Sequence, residues 1–448
     1  MNFRTAINFP GNLGYIDHRQ QILLLGSCFA ENIGLWLQQR KFNVDINPFG
    51  TLYNPLSIAQ SWERIVEGKA IIENELFAFN NLWHSYDHHS RFSGCDKKAT
   101  LSLMNRRIEK AHRQVPNIDR IIITWGTAYV FRLKETGKVV ANCHKQPASI
   151  FDRMLLSVDE IVSRWRDIIK YIEDNLPQCR ILFTVSPIRH LSDGAHGNQI
   201  SKSTLLLAIN RLQQEFGICD YFPSYEIMMD DLRDYRFYDT DMTHPSKSAI
   251  AYITEILEEA YLSPESKEIA SQWYKIQRAL EHRPLMPDKD EYTIFLQHTL
   301  DKVMRFQQMY PYINVSNEIK HKNQSNMNYT ITEIATIVKA QKRAYKDYTI
   351  TALLTDSRSL TFPEETLFFA LVTERNDGHR YIKDLYRKGV RNFVVEHRVA
   401  DEELMPEANF IIVKNTLDAL QQLAAAHRKK FDIPVIGVTG SNGKTTVK

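Results

Sequence analysis

Apolar residues fall along this chain in two alternating rhythms. Residues 21–25 (Gln-Ile-Leu-Leu-Leu) form a short apolar run stopped by Gly26, as a strand buried on both faces requires. Ile33, Trp36 and Leu37 then recur at helical spacing. Residues 121–124 and 181–185 are two more buried-strand runs, and between them residues 158–176 place Ile161, Trp165, Ile168, Ile169 and Ile172 on one helical stripe. Strands alternating with amphipathic helices predict a doubly wound α/β layer over the first 260 residues. From 263 to 309 the pattern becomes purely helical.

A polar stretch over 314–328 (NVSNEIKHKNQSNMN) reads as a linker, and the boundary is expected near residue 320. A second α/β pattern follows. Strands are expected at 367–372, 392–395, 410–413 and 435–438, and helices at 331–342, 381–388 and 417–429. Met327 stands where this second pattern starts, consistent with two neighbouring reading frames that have become joined.

Length and composition add bounds. A chain of 448 residues with 43% apolar and 24% charged positions has the mixture of a multi-domain globular protein, not of a disordered or fibrous one. A net charge of +3 gives no reason to expect nucleic acid as partner, and the run Arg428-Lys429-Lys430 reads as solvated helix surface. The five cysteines (Cys28, Cys95, Cys143, Cys179 and Cys219) lack CxxC spacing and suit a reducing compartment. No apolar leader opens the sequence and no run approaches the roughly 18 apolar residues of a membrane span, so a cytoplasmic location without a membrane span is expected.

Candidate chemistry lies first at Gly26-Ser27. A serine at the carboxyl end of a first strand sits where open α/β sheets place their sites, and its own amide is expected to face the same concavity. Such a serine is also an ordinary helix N-cap. Asp241-Met-Thr-His244 supplies a carboxylate and an imidazole three residues apart. Over the same sheet edge, His244 would deprotonate Ser27 while Asp241 orients the ring. The bland alternative is a helix cap, since a helix is expected from Ser246. Cys28 beside Ser27 is a packing thiol, and His84, His88 and His89 with His144 suggest a surface or substrate-groove role more than a metal site.

These residues carry a resemblance. Gly26-Ser-Cys-Phe-Ala30, Asn47-Pro-Phe-Gly50, Tyr53-Asn-Pro55, Gly126-Thr-Ala128, Asn142-Cys-His-Lys145 and the 241–245 segment are similar to the GSCFA family, which is grouped with SGNH (GDSL-like) hydrolases. The resemblance implies an SGNH-like, flavodoxin-like three-layer α/β sandwich over residues 1–312, with a helical extension from about 263. It further implies serine ester chemistry by Ser27, Asp241 and His244 on a small acylated or glycan substrate, with no cofactor. The SGNH pattern normally supplies an oxyanion asparagine as GxND, whereas this strand ends in Gly126-Thr127-Ala128-Tyr129. Asn142 or Asn54 is the candidate replacement, with Gly50 and Gly126 as amide candidates. A non-catalytic carbohydrate-binding module is the alternative reading.

The second unit ends in Thr439-Gly-Ser-Asn-Gly-Lys-Thr-Thr446 after an apolar run, where glycines let backbone amides face a phosphate. Gly440, Asn442, Gly443, Lys444, Thr445 and Thr446 would bind ATP, with Thr445 on Mg²⁺. The form GxTGSNGKTT resembles the phosphate loop of Mur ligases. Residues 354–358, 367–371 and Asn376-Asp-Gly-His379 look like the UDP-sugar-binding domain of those enzymes. Among them the D-alanyl-D-alanine-adding type fused to alanine racemase is most similar. The resemblance implies that Ser357 and Arg358 lie near the nucleotide-sugar of a UDP-muramoyl peptide. It makes 313–327 a linker, 328–430 the sugar-binding domain and 431–448 the start of a P-loop domain. With the sequence stopping at Lys448, the expectation is a ligase-incompetent chain, or a piece of a longer ATP- and Mg-dependent ligase.

Overall fold

The computed structural model describes residues 5–7, 14–281, 290–316, 318, 329–343, 346–357, 360, 363–373, 376–399 and 402–430. These divide into two compact units, one drawn from 5–281 with 305–314 and the other from 290–304 with 315–430.

The first unit is built on a five-stranded parallel sheet. Its strands are β1 (Gln21–Gly26) and β2 (Asn43–Ile46), then β5 (Ile118–Trp125), β9 (Arg180–Val185) and β10 (Cys219–Phe222), in the order β10-β9-β5-β1-β2. The 2-residue side-chain period splits the strands between two cores. Leu23, Leu25, Ile121, Ile123, Ile181 and Phe183 face one cluster; Ile22, Leu24, Ile122 and Leu182 face the other. The first cluster is covered by α2 (Pro55–Glu67), α3 (Lys97–Gln114), α4 (Val158–Asn175) and α5 (Gly194–Glu215), and the second by α1 (Cys28–Gln39) and a helix from Lys247 to Tyr261. Helices on both faces of a parallel sheet are the mixed α/β architecture that the alternating pattern predicts.

The α4 stripe forms as expected. Ser157 caps it in a capping box with Glu160, and Trp165 packs against Trp125 at 5.4 Å and Phe183 at 5.6 Å while its indole N–H donates to the Pro55 carbonyl at 3.2 Å. The helical stretch after 263 appears as Pro264–Glu281 and Asp290–Met309, and Trp273 packs on Phe306 at 5.1 Å.

Antiparallel insertions have no counterpart in the sequence reading. β3 (Leu76–Phe79) pairs with β4 (Leu82–Ser85), and β6 (Tyr129–Leu133) pairs with both β7 (Val139–Val140) and β8 (Phe151–Leu155). Only Phe151 of β8 is buried, so the strand shows no apolar period.

The largest described sheet of the second unit has five strands in the order 341–343, 409–412, 392–395, 366–369, 352–354; all pair in parallel except the first. The helix expected over 331–342 stops at Ile337. Lys339 turns left-handed (φ 51°), and residues 341–343 instead pair antiparallel with 409–412. The expected strand at 435–438, and residues 319–328 of the expected linker, lie outside the described residues. Among those described, no helix is long and apolar enough to cross a membrane.

Candidate active site

β1 ends at a glycine that carries the site. Gly26 has φ 136°, and a Cβ there would stand 2.1 Å from the Thr124 carbonyl oxygen, so only glycine lets β1 lie this close to β5. Three further bonds hold the turn: Asn47 Oδ1 accepts from the Gly26 amide at 2.9 Å, the Gly26 carbonyl accepts from Leu52 at 2.9 Å, and Arg91 grips the Asn47 carbonyl at 2.8 Å. The Asn47-to-Gly50 segment is therefore a brace for the residue that follows Gly26.

That residue, Ser27, caps α1, its Oγ accepting from the Phe29 amide at 3.2 Å. It is only 1% exposed yet lines the floor of a cavity of about 730 Å³ at the carboxyl edge of the sheet. The ends of β1, β5 and β9 and the loop before residue 245 contribute Ser27, Thr127, Ser186 and His244 to its wall.

The 241–244 turn is internally fixed. Asp241 Oδ1 accepts from the Thr243 and His244 amides, each at 2.9 Å, and its Oδ2 meets His244 Nδ1 at 2.5 Å. These donors hold the Asp241 carboxyl below the usual carboxylate range, the His244 amide contributing most. With Nδ1–H given to the carboxylate, the imidazole presents its Nε2 lone pair. The Arg189 amide donates to the Thr243 carbonyl at 3.2 Å, tying this turn to the end of β9. The helix cap expected as the alternative belongs to Ser246, whose Oγ accepts from Ala249, so Asp241 and His244 are not spent on it.

The oxyanion candidates separate. The Gly50 amide donates to the Asn47 carbonyl at 2.8 Å and the Gly126 amide to the Tyr53 carbonyl at 2.7 Å, and neither residue lines the cavity. Both expectations are corrected for the same reason: each amide is consumed in bracing the sheet edge. The Ser27 amide, expected to face the concavity, continues the β1–β5 ladder by donating to Thr124 at 3.2 Å. Asn54 and Asn142 do line the cavity. Asn54 caps α2 through Oδ1 and gives one amide hydrogen to Ser57 Oγ at 3.0 Å; Asn142 Oδ1 accepts from the His144 amide at 2.8 Å.

His84, His88 and His144 are buried and His89 is half-buried, and none of the four lines the cavity. His84 bonds Ser93 Oγ (2.7 Å) and the Phe79 carbonyl (3.0 Å), and His144 Nε2 bonds the Ser85 carbonyl (2.8 Å). His88 stacks on Phe49 at 4.4 Å, and burial pushes it down to about 3 and His144 to about 4. Among the described residues no three His, Cys, Asp or Glu side chains gather as a metal site. Burial likewise raises the Cys28 thiol to about 11, as a packing thiol requires.

Sequence reasoning missed four residues here. Lys202 on α5 is 1% exposed, its ammonium bridging the Gly126 and Ser186 carbonyls, each at 2.7 Å, and burial lowers it to about 7. Its signal was available: Asn198, Ser201 and Lys202 interrupt the stripe that Leu205, Ile209 and Leu212 continue. His190, lowered to about 4 by burial and by Lys202, lies against Tyr53 at 6.2 Å. Arg153 stacks over Tyr129 at 4.0 Å and pairs with Asp193, and Arg189 completes the charged part of the wall.

In the second unit, Ser357 is half-buried, while Arg358 and the ATP and Mg candidates Gly440, Asn442, Gly443, Lys444, Thr445 and Thr446 lie outside the described residues. Asp377 caps a short turn by accepting from the His379 amide (2.9 Å) and Nδ1 (2.7 Å), and His379 stacks on His397 at 4.1 Å.

Fold and site together define an α/β protein whose parallel sheet carries, at its carboxyl edge, a cavity walled by a serine and a carboxylate-bound histidine. The GSCFA family matches residues 21–256, more than half of the sequence, and the chain belongs to that family. Residues 273–326 match the C-terminal domain of GSCFA domain proteins. Over 122 residues the chain is 39% identical to the UDP-N-acetylmuramoyl-tripeptide–D-alanyl-D-alanine ligase of Bacillus subtilis, covering 27% of this chain and 26% of that one. Over 103 residues it is 42% identical to the corresponding Synechocystis ligase, covering 23% and 22%. The chain thus spans about a quarter of the length of these curated relatives. A solved ligase from Acinetobacter baumannii superposes at a TM-score of 0.21 with 24% identity over 23% of this chain and 22% of that one. A putative platelet activating factor from Streptococcus pneumonia does so at 0.28 with 14% identity over 54% and 83%. Neither superposition is close enough to bear on the fold.

Proposed function

We propose that the first unit is an SGNH-like serine hydrolase or acyltransferase. The observation that carries this reading is a single cavity walled by Ser27 and His244, the latter bonded through Nδ1 to Asp241 at 2.5 Å. His244 Nε2 takes the Ser27 hydroxyl proton as Oγ attacks an acyl carbonyl, and Asp241 holds the tautomer and the imidazolium. The collapsing intermediate expels an alcohol that takes its proton back from His244. Water or an acceptor hydroxyl then releases the acyl group by the reverse sequence.

Negative charge on the tetrahedral intermediate falls to Asn54 and Asn142, whose side chains line the cavity, and to the Cys28 amide. That amide stands first in α1, where no preceding turn supplies a carbonyl and the helix end is positive. A buried nucleophile under an aromatic-walled cavity keeps bulk water from competing with the acceptor.

Labelling with a fluorophosphonate tests the reading: one adduct on Ser27, lost in His244→Ala, is the expected result. A folded protein that forms no adduct would refute it and leave a carbohydrate-binding module. The committed Ser27, Gly50 and Gly126 amides are what favour that second reading.

For the second unit we infer recognition of the nucleotide-sugar of a UDP-muramoyl peptide, supported by 39% identity to the Bacillus subtilis ligase over 122 residues. Calorimetric titration with UDP-N-acetylmuramoyl tripeptide reads this directly, and heat indistinguishable from dilution would refute it.

A further inference from the structure

The walls of the Ser27 cavity carry unequal charge. Asp193 is the only carboxylate among its lining residues, and it is spent on Arg153. Arg189 has no carboxylate partner among the described residues; its Nε is buried without a hydrogen bond, and its side chain otherwise meets the Tyr238 hydroxyl. Beneath the same edge Lys202 is held by two carbonyls. A half-buried guanidinium with no carboxylate beside it and its Nε without a hydrogen bond is costly unless an anion completes it.

Position narrows the anion's place. The Arg189 amide is bonded to the Thr243 carbonyl, one residue before His244, and both residues line the cavity, so residue 189 stands in the wall beside the 241–244 turn.

We infer that Arg189 is a specificity-determining residue that binds a carboxylate or phosphate borne by the acyl substrate close to its scissile carbonyl. The planar guanidinium offers parallel N–H donors in a fixed fork to such a group. The aromatic side chains Tyr129, Phe131 and Phe151 line the cavity with it and suit the uncharged remainder. This inference rests on the hydrolase reading above and deepens it.

The test compares the mono-4-nitrophenyl ester of glutaric acid with its methyl-capped form, and with the phosphonate analogue to separate the two anions. The intact chain should favour the free acid or the phosphonate over the capped ester by about tenfold or more in kcat/KM, mostly through KM. That ratio should fall towards one in Arg189→Met and recover in part in Arg189→Lys, where charge returns without the fork. No preference in the intact chain, or the same preference in Arg189→Met, would overturn the assignment. If no ester turns over and no fluorophosphonate adduct forms, the hydrolase reading fails. The anion site is then read by calorimetry of Ser27→Ala with the 4-nitroanilide of glutaric acid and its methyl ester. Tighter binding of the acid, abolished by adding Arg189→Met, supports the site. Equal affinities, or no binding of the acid, overturn it.

Discussion

Replacing Gly26 by alanine should uncouple Ser27 from its sheet. The added Cβ would lie 2.1 Å from the Thr124 carbonyl oxygen and 2.9 Å from both its carbonyl carbon and its amide nitrogen. Real Cβ contacts stay beyond about 3 Å, so β5 must retreat by roughly 1 Å at the residue that also accepts the Ser27 amide. Two costs combine: about 1–3 kcal/mol for a side chain at φ 136° and about 1–3 kcal/mol for overpacking a rigid backbone. A control separates them. Gly137 also has positive φ (69°) but nothing within 4 Å of its Cβ position, so Gly137→Ala feels the backbone cost alone. Urea unfolding followed by fluorescence of the buried Trp125 and Trp165 should show Gly26→Ala less stable by about 3–5 kcal/mol and Gly137→Ala by about 1 kcal/mol. Fluorophosphonate labelling of Ser27 should slow in the first variant only. Equal destabilisation of the two, with labelling unchanged in both, would refute the close-approach argument.

Other expectations follow from the same geometry. Asp241→Asn should lower the labelling rate of Ser27 by roughly 10²–10⁴-fold without moving the unfolding midpoint, because the carboxylate is half exposed and acts by holding the tautomer. Lys202 gives a pH signature: burial lowers its amine from 10.5 to about 7, so between these values the folded state holds fewer protons than the unfolded one. The stability of the intact chain relative to Lys202→Met should therefore rise between pH 7 and pH 10, by more than about 1 kcal/mol, and stay flat below pH 7; matched urea midpoints at pH 6, 7.5 and 9 measure it. Trp165→Ala should cost about 3–5 kcal/mol, since the indole is fully buried between Trp125 and Phe183. In the second unit Asn409→Ala should cost about 2 kcal/mol or more by leaving Asn392 Oδ1 and the Lys346 carbonyl without their donor, as read by thermal melting.

What was legible in the sequence shares one property: it repeats. The 21–25, 121–124 and 181–185 runs are buried on both faces, so apolar continuity alone marks them, and all lie within parallel strands. β8 is legible in no such way, because four of its five residues are exposed and its pairing comes from β6 across the insertion. The serine and the Asp241-to-His244 turn could be singled out because each carries chemistry within four residues. Lys202 left only an interrupted stripe on α5, and His190 and Arg189 left no such mark, since the meaning of Lys202 arises only where α5 and the end of β9 meet the carbonyls of Gly126 and Ser186. The glycine candidates failed for a related reason. Spacing identifies an amide that could face a ligand, but not the carbonyl of Tyr53 or Asn47 that already holds it.

Ser27 and His244 reach the same cavity from opposite ends of the unit, roughly 220 residues apart in the chain. At about 5–20 residues per second, a ribosome releases the imidazole some 10–45 s after the hydroxyl. A nascent chain therefore carries Ser27 without its imidazole for about half of its synthesis. On the hydrolase reading, esters around the ribosome are safe from it until the 241–244 turn has been made.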